Sequence, residues 1–334
     1  MKTKISSGAD NNPWLNFSKN LKRYKSPSLK KSLWQIANTF IPYVGAWVLI
    51  VYSLNISLWL TAPLIILAGG LLVRLFIIFH DCGHGSYFKS DKANKYIGMF
   101  FGILALTPYH KWHYQHLQHH ATVGNLDKRG VGDVWTMTKK EYENADKRLR
   151  FKYRMYRNPF IMFGIGPLFM FLGSNRFTQK WMTKKQKQNV WFTNFAVLLM
   201  TVGMGLAIGF VNYIVIQLLI MQVAGMAGFW LFYLQHQYDD VVWYKGQDWK
   251  FQTVALEGSS YLKFPKILHW FSGNIGYHHI HHLNATIPNY NLPMCFREND
   301  VLKQIKPVTF WESVKTLRLR LWDEQQQKLV PFKG

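Results

Sequence analysis

The chain has 334 residues, of which 49% are apolar and 16% aromatic, and its formal net charge at pH 7 is +23. A charge of this size is typical of nucleic-acid-binding proteins when it is spread over one face. Here two long apolar blocks, residues 32–73 and 188–238, contain no Lys, Arg, Asp or Glu. Because a bilayer crossing needs about 20 apolar residues, the composition indicates a membrane protein and argues against nucleic-acid binding.

Residues 1–31 are lysine-rich, and we interpret them as a basic cytosolic N-terminal segment. The first apolar block that follows is long enough for a hairpin of two crossings, predicted at residues 39–54 and 57–79. The sequence HDCGH at 80–84 comes directly after this hairpin, so the second helix is predicted to continue into the cytosol. Arg74 lies near that end and is expected to snorkel to the surface or to pair there.

Two shorter apolar runs, residues 97–108 and 159–173, would be only about 18 and 22 Å long as helices. Roughly 30 Å of hydrocarbon must be crossed, so each run is predicted to lie in the interface or to dip in and return. The second long block is predicted to form crossings at residues 190–208 and 213–234, and His236 comes just after it.

Lysines and arginines crowd the segments before both apolar blocks, whereas the turns inside the blocks, residues 53–57 and 209–213, carry no charge. Positive charge is enriched on the cytoplasmic side of membrane proteins, so both termini and the histidine-rich segments are predicted to be cytoplasmic. The two cysteines, Cys82 and Cys295, would then lie in a reducing compartment, and we expect no disulfide between them.

Three histidine clusters follow the apolar segments, with HxxxH, HxxHH and HxxHH spacing. Residues three and four apart share one face of a helix, so each cluster can direct two or three imidazoles the same way. Imidazole suits iron, copper, zinc and nickel. With the isolated His236 the candidate ligands are enough for two ions, and they are His80, His84, His116, His119, His120, His236, His278, His281 and His282.

The remaining histidines fit a ligand role less well. We interpret His110 and His269 as structural residues, whereas His279 points away from the face shared by its cluster and could support a ligand instead. His113 lies three residues before His116 and could share its helix face, so it could be either a metal ligand or a residue that supports a ligand. Carboxylates that could accept the second N–H of a bound histidine are Asp81, Asp127, Asp133, Asp239, Asp240 and Glu257.

Longer strings, including HDCGHGSYF, HHATVGNLDKRGVGDVW and GNIGYHHIHHLNATIPNY, resemble the membrane fatty-acid desaturases, a di-iron family. Within this family the chain is most similar to the acyl-lipid (phospholipid) delta-5 desaturases of bacilli, and the similarity covers residues 32–323. The family asparagine four residues before the isolated histidine is replaced by Phe232, so the water-mediated contact of that asparagine does not carry over.

The resemblance implies an all-α integral membrane protein of four transmembrane helices, in two hairpins, with a cytosolic helical cap. One desaturase domain would cover residues 32–334, and the nine histidines named above would hold two iron ions. The enzyme would use O2 to introduce a cis double bond into acyl chains of membrane phospholipids at the delta-5 position. Electrons would come from a small donor such as ferredoxin or flavodoxin, and the location would be the bacterial cell membrane.

Two alternatives remain at the level of sequence. A lipid or carotenoid hydroxylase or ketolase of the same superfamily would have the same histidine clusters. A membrane metal transporter or sensor is a further alternative, but it would need ionisable residues along its crossings, and Arg74 is the one Lys, Arg, Asp or Glu in the apolar spans. The end of the acyl tunnel is expected among the apolar helices, at residues that the sequence does not identify.

Overall fold

The computed structural model describes residues 21–130 and 132–332 of a mainly helical chain. Four helices are long and apolar enough to cross a membrane: α1 (Leu29–Ser53), α2 (Leu58–Gly83), α7 (Lys184–Ile208) and α8 (Phe210–His236). The first two and the last two form hairpins, and Gly209 makes the second turn with a φ of 88° that favours glycine. The predicted all-α membrane architecture is confirmed.

Each of the four long helices extends beyond its predicted crossing at the end that faces the histidine-rich segments. Ser28 caps the start of α1 by accepting from the backbone N–H of Lys31, and Thr183 forms a capping box with Gln186 at the start of α7. Apolar length locates the part of a helix inside the hydrocarbon, whereas caps locate its ends. The boundary expected between residues 31 and 32 therefore falls inside α1, and residues 1–20 of the expected N-terminal segment lie outside the described residues.

The first short apolar run, residues 97–108, forms the end of α3 (Asp91–Leu104) and the turn that precedes α4 (Tyr109–Thr122). Gly98 packs so closely that an added Cβ would meet the Tyr109 ring at 2.4 Å and the Cys82 Cβ at 3.1 Å. Gly102 packs in the same way on the Phe79 ring. The α3 helix thus runs back along the end of α2, and the chain reverses near Leu106, whose φ is 49°.

The second short run, residues 159–173, is a re-entrant segment of two π-helical turns, Phe160–Ile165 and Phe169–Gly173, around a short α-helical turn, Gly166–Leu168. The side-chain amide of Gln222 on α8 donates to the carbonyls of Phe163 at 3.3 Å and Gly164 at 3.0 Å. Since Gln222 precedes His236 by about 21 Å along the helix, this segment reaches the depth of the bilayer core. Of the two arrangements predicted from its length, it has the one that dips in and returns.

Short elements form a cap over one end of the four helices. Its helices are α5 (Lys139–Asn144), α6 (Lys147–Tyr156), α9 (Phe251–Glu257), α10 (Lys266–Phe271), α11 (His278–Leu283), α12 (Leu292–Arg297) and α13 (Phe310–Thr316). Its strands are β1 (Met137–Thr138), β2 (Tyr261–Lys263), β3 (Pro307–Thr309), β4 (Leu321–Asp323) and β5 (Lys328–Val330). Short 3-10 turns lie at Leu21–Tyr24, Ser174–Arg176, Gly246–Asp248, Asn289–Asn291 and Asp300–Gln304.

The strands make two small sheets, one in the order β1–β4–β5 and one of β2 with β3. The β1–β4 and β2–β3 pairs are parallel, and β4–β5 is antiparallel. Arg157, which is buried, joins this cap to the membrane helices. Its guanidinium donates to the Tyr233 hydroxyl at 3.3 Å, to Gln237 Oε1 at 2.9 Å and to the Leu319 carbonyl at 2.8 Å. These hydrogen bonds fix the position of the cap relative to the end of α8.

Two expectations about single residues hold. Cys82 and Cys295 are free and buried, so they form no disulfide. Arg74 is buried and pairs near the cap rather than reaching solvent, because its Nε donates to Thr39 Oγ1 at 3.0 Å and it also donates to the Trp270 carbonyl. Its guanidinium lies 4.2 Å from the centre of the Trp270 ring, which adds a cation–π contact.

Candidate metal centre

Four separate elements direct histidines toward the space between the cap and the long helices. His80 lies in the last turn of α2 and His84 caps its end, so this helix does carry the first cluster out of the apolar span. The second cluster lies on α4, His236 is the last residue of α8, and the third cluster lies on α11. Residues up to 202 positions apart in the sequence therefore meet (His80 and His282: 282 − 80).

The nine predicted ligand histidines form two groups, in each of which one ring nitrogen per residue lies within 4.8 Å of the others. The five-histidine group consists of His80, His84, His116, His120 and His281. The four-histidine group consists of His119, His236, His278 and His282. The groups are adjacent, because the rings of His120 and His282 stack with centroids 4.2 Å apart.

The ring nitrogens within each group are arranged as if around a common point. In the five-histidine group, His116 Nε2 lies 3.0 Å from His80 Nε2 and 3.1 Å from His120 Nε2. In the four-histidine group, His236 Nε2 lies 3.1 Å from His119 Nε2 and 3.0 Å from His278 Nε2. Nitrogens about 2.1 Å from a shared first-row metal ion would have separations of this size, so the donor set fits two ions.

Several ring nitrogens of the two histidine groups have no hydrogen-bond partner within the described chain. His84 Nε2, His278 Nδ1 and both ring nitrogens of His282 are buried without a hydrogen-bond partner. A buried polar atom without a partner costs about 1–3 kcal/mol. His84 Nε2 and one nitrogen of His282 are thus free to bind a metal ion, which would remove that cost.

Burial also sets the charge of the imidazoles. Desolvation lowers the pKa of His84, His116 and His120 well below the usual value for histidine, and neighbouring imidazoles lower it further. The same two causes lower the pKa of His278, His281 and His282. These rings are therefore neutral at pH 7, which is the state that binds a metal ion.

Two of the predicted carboxylates contact histidines of the groups. Asp81 Oδ1 lies 3.0 Å from His80 Nδ1, and Asp133 Oδ1 lies 2.5 Å from His119 Nδ1. His236 Nδ1 lies 3.2 Å from the carbonyl of Gly258. In each case the contact uses the nitrogen that faces away from the group, so it fixes the ring orientation and leaves Nε2 for a metal.

The other candidates have different surroundings. Asp127 Oδ2 accepts from the backbone N–H of Gly246 at 2.8 Å. Asp239 is exposed, and the backbone carbonyl of Glu257 accepts from the Tyr238 hydroxyl at 2.6 Å. His113 stacks on Tyr109, with ring centroids 6.0 Å apart. These residues lie outside both histidine groups.

Three histidines occupy structural positions in the cap or at its edge. His279 is buried against the ring of Tyr261, and burial lowers its pKa to about 3. His269 stacks on Tyr277 at 5.3 Å, and the backbone N–H of His110 donates to Asn189 Oδ1 at 2.8 Å. None of the three belongs to the groups of candidate metal ligands among the described residues.

Aromatic rings cover the two groups at their edges. Trp112 stacks on His116 with centroids 4.5 Å apart and an interplanar angle of 18°. Phe232 lies 5.3 Å from His119 and 5.5 Å from His236, one helical turn before His236 on α8. The five-histidine group therefore has an indole beside it, and the four-histidine group has a phenyl ring with no polar atom.

Sequence reasoning did not identify Asn289 or Gly258. The backbone N–H and the side-chain amide of Asn289 donate to Asp81 Oδ2 at 2.6 and 2.8 Å. Gly258 acts through its backbone carbonyl, which every residue type has, so the sequence could not indicate this contact. Asn289 had one available signal, since it lies in the polar string NATIPNYN directly after the third cluster.

The fatty acid desaturase family model matches residues 57–311 of the chain. The chain is 43% identical to a fatty acid desaturase of Bacillus subtilis (strain 168), over 95% of this chain and 90% of that protein. It is 30% identical to an sn-1 acyl-lipid omega-3 desaturase (ferredoxin) of Synechocystis sp., over 70% of this chain and 66% of that protein. An sn-1 oleoyl-lipid 12-desaturase of Arthrospira platensis is 27% identical over 72% of this chain and 68% of that protein.

The chain therefore belongs to the fatty acid desaturase family. It is a multi-pass membrane oxidoreductase with clustered histidines that can hold metal ions. The family predicted from the three histidine clusters is confirmed.

Proposed function

We propose that this enzyme is an O2-dependent acyl-lipid desaturase that introduces a cis double bond into saturated acyl chains of membrane phospholipids. The observation that carries the proposal is the convergence of nine histidines in two adjacent groups where α2 and α8 leave the apolar spans. Support for a lipid-linked substrate comes from relatives whose names specify acyl-lipid and oleoyl-lipid substrates.

Each histidine group would hold one iron ion, with His80, His84, His116, His120 and His281 on one and His119, His236, His278 and His282 on the other. When bound, the two irons would supply the redox chemistry by which O2, together with two electrons from a donor, oxidises an unactivated methylene pair. The balanced reaction is –CH2–CH2– + O2 + 2 e⁻ + 2 H⁺ → –CH=CH– + 2 H2O. A reduced ferredoxin is the proposed donor, since the names of two relatives specify ferredoxin.

The protein's own contribution is position. Asp81 and Asp133 hold His80 and His119 in fixed orientations. Trp112 and Phe232 cover the groups with apolar surface, which excludes bulk water. The acyl chain has no polar handle near its reacting carbons, so the reacting pair must be selected by the depth to which the chain enters.

For the position of the double bond we propose delta-5, which rests on the resemblance of HDCGHGSYF and GNIGYHHIHHLNATIPNY to the delta-5 desaturases of bacilli. For the location we propose the bacterial plasma membrane, with both termini and the histidine groups in the cytoplasm. The basic segments before α1 and α7 support this orientation. We further propose that residues 32–334 act as one catalytic domain, preceded by a basic segment.

The test is to express the chain in a host of known lipid content, supply oxygen, and locate double bonds by mass spectrometry of intact phospholipids. New monounsaturated chains with the bond at carbon 5 are expected, and the His119→Ala variant should produce none. A bond at another carbon would overturn delta-5 alone. An oxygenated chain would instead identify a hydroxylase or ketolase, and unchanged saturation would overturn the proposal.

A further inference from the structure

The α6 helix (Lys147–Tyr156) presents two unlike faces. It contains five Lys and Arg residues and no acid in the sequence KRLRFKYRMY. Tyr153 is buried against the cap, where its hydroxyl donates to the Arg320 carbonyl and accepts from the Met137 N–H at 3.1 Å. Phe151 and Met155, in contrast, are 64% and 40% exposed. They are four residues apart and therefore form one apolar stripe that points away from the cap.

Cations lie on both sides of this stripe. At 100° per residue, Lys147 falls on one side of Phe151 and Met155, and Arg148 and Lys152 fall on the other. All three side chains are exposed. The other two cations of α6 turn toward the cap, since Arg150 donates to the Ala145 carbonyl at 2.8 Å and Arg154 donates to the Tyr142 hydroxyl at 2.6 Å.

The position of α6 relative to the bilayer follows from Arg157, which comes directly after it. Arg157 bonds Tyr233 and Gln237, which bracket His236 at the end of α8. Met155 is two residues before Arg157 and Phe151 is six residues before it. At 1.5 Å per residue, Met155 can be at most about 3 Å further from the bilayer than Arg157, and Phe151 at most about 9 Å. The head-group layer of one leaflet is roughly 5–7 Å thick, and the chain beyond Arg157 enters the bilayer as the re-entrant segment. The stripe therefore begins within the head-group layer at Met155 and extends at most a few ångströms beyond it at Phe151.

We infer that α6 is an interfacial helix that binds anionic phospholipid. Phe151 and Met155 enter the upper part of the acyl layer, and Lys147, Arg148 and Lys152 hold the phosphates of the head groups. A short helix with an apolar stripe flanked by cations is suited to an anionic bilayer surface. If α6 bound a neutral lipid, its cations would lack counterions. If it bound an acidic protein instead, the apolar stripe near the head groups would have no apolar partner. This inference concerns lipid outside the metal centre and goes beyond desaturation.

The first test measures depth with a fluorescent label. Cys82 and Cys295 are buried, so a cysteine at Phe151→Cys can be labelled selectively with bimane in the holoenzyme. In nanodiscs of phosphatidylglycerol brominated near the top of the acyl chains, the label should be quenched. A label at Gln247→Cys, an exposed residue of the cap loop, should not be quenched. Equal, weak quenching at both positions would overturn the inference.

The second test removes the charges. The variant Lys147→Gln/Arg148→Gln/Lys152→Gln should bind fluorescent phosphatidylglycerol at least about tenfold and up to about a hundredfold more weakly, because each of the three cations near an anionic leaflet contributes up to about fivefold in binding. Binding of phosphatidylcholine should not change. The matched control is Lys128→Gln/Lys250→Gln/Lys328→Gln, which removes three exposed cap cations and should keep phosphatidylglycerol binding.

Gel filtration and metal content establish that both triple variants are folded. If the α6 variant keeps its phosphatidylglycerol affinity, the inference is wrong. If it instead loses affinity for an acidic ferredoxin while lipid binding is unchanged, the helix is a protein-docking surface and the lipid assignment is likewise overturned.

Discussion

At the scale of single residues, Asp81 links the first histidine cluster to distant parts of the chain, which the sequence HDCGH does not indicate. One carboxylate oxygen fixes the ring of His80, and the other accepts two hydrogen bonds from Asn289. The Asn289 side chain in turn accepts from Gln35 Nε2 on α1 at 2.8 Å. The orientation of the first histidine therefore depends on α1 and on the loop after α11.

Replacing Asp81 should weaken metal binding without removing a ligand. In Asp81→Asn one carboxylate oxygen becomes an NH2 group. This NH2 would face either the His80 N–H or the N–H donors of Asn289, so the hydrogen bond on that side is replaced by donor–donor repulsion. Loss of a partner of this kind costs about 10–100-fold in metal affinity or activity. The measurement is iron content and desaturase activity of the purified protein.

Asp127→Asn is the matched control for Asp81→Asn, because Asp127 bonds the backbone of Gly246 outside the histidine groups. It should keep full iron content and activity. Equal losses in the two variants would show that a general effect of charge removal, and not the orientation of His80, is responsible.

His236 and His113 offer a direct comparison between a residue inside a histidine group and one outside. His236→Ala removes one of four candidate ligands from the four-histidine group, so iron content and activity should both fall sharply. His113→Ala removes a ring that stacks on Tyr109, and iron content should be kept. Metal analysis of the two purified variants decides, and an iron-replete His236→Ala protein would contradict the proposed ligand set.

At the scale of elements, the re-entrant segment and α8 are in contact through a glycine. An added Cβ at Gly225 would lie 2.5 Å from Pro167 Cβ, whereas nothing lies within 4 Å of one at Gly228. Two glycines three residues apart on the same helix thus have different roles. The small residue at position 225 allows the segment to approach the α8 backbone closely.

Gly225→Ala should therefore displace the re-entrant segment and destabilise the protein by about 1–3 kcal/mol, as overpacking does in other cores. Gly228→Ala should be neutral or gain up to about 1 kcal/mol from helix propensity. Thermal denaturation of both variants in detergent is the measurement. A destabilised Gly228→Ala protein beside an unaffected Gly225→Ala protein would contradict this account of the packing.

Much of this could be predicted from sequence, for identifiable physical reasons. The i, i+4 spacing of His80 and His84 and the long apolar run before them, in which Arg74 is the one charged residue, predicted a helix that leaves the apolar span carrying two imidazoles. The lengths of the short apolar runs predicted that they do not cross. The strands of the cap were missed, because elements of two or three residues such as Met137–Thr138 are too short to show alternation.

The assignment of histidines to two groups also required the structure. His119 faces His236, while its neighbour His120 faces His116 and His281. Adjacent residues on α4 differ by about 100° around the helix, so a single cluster can serve two groups, but sequence does not indicate which partner element stands on which side. Asp133 lies in a loop without periodicity, which is why it could not be chosen over Asp127.

At the scale of the whole molecule, the number of crossings places the clusters on one side. Two long helices separate the second cluster from His236, and no candidate crossing separates the first cluster from the second or His236 from the third. All nine ligands can therefore share one aqueous face. The connection between α1 and α2 must then lie on the opposite face, together with the turn at Gly209.

Cysteine labelling from outside intact cells can test this orientation, since both native cysteines are buried. A cysteine at Asn55→Cys, in the exposed connection between α1 and α2, should react with a membrane-impermeant maleimide. A cysteine at Gln325→Cys, in the exposed turn before β5, should react only after the cells are permeabilised. The reverse pattern would place the histidine groups outside the cytoplasm.

The spread of the ligands along the chain has a consequence for biogenesis. Each histidine group includes a member of the third cluster, His281 in one and His278 with His282 in the other. A nascent polypeptide that has already threaded all four spans through the translocon therefore still lacks both complete sites. Neither metal site can therefore be complete before ribosomal synthesis has passed the third cluster, which lies downstream of every candidate span.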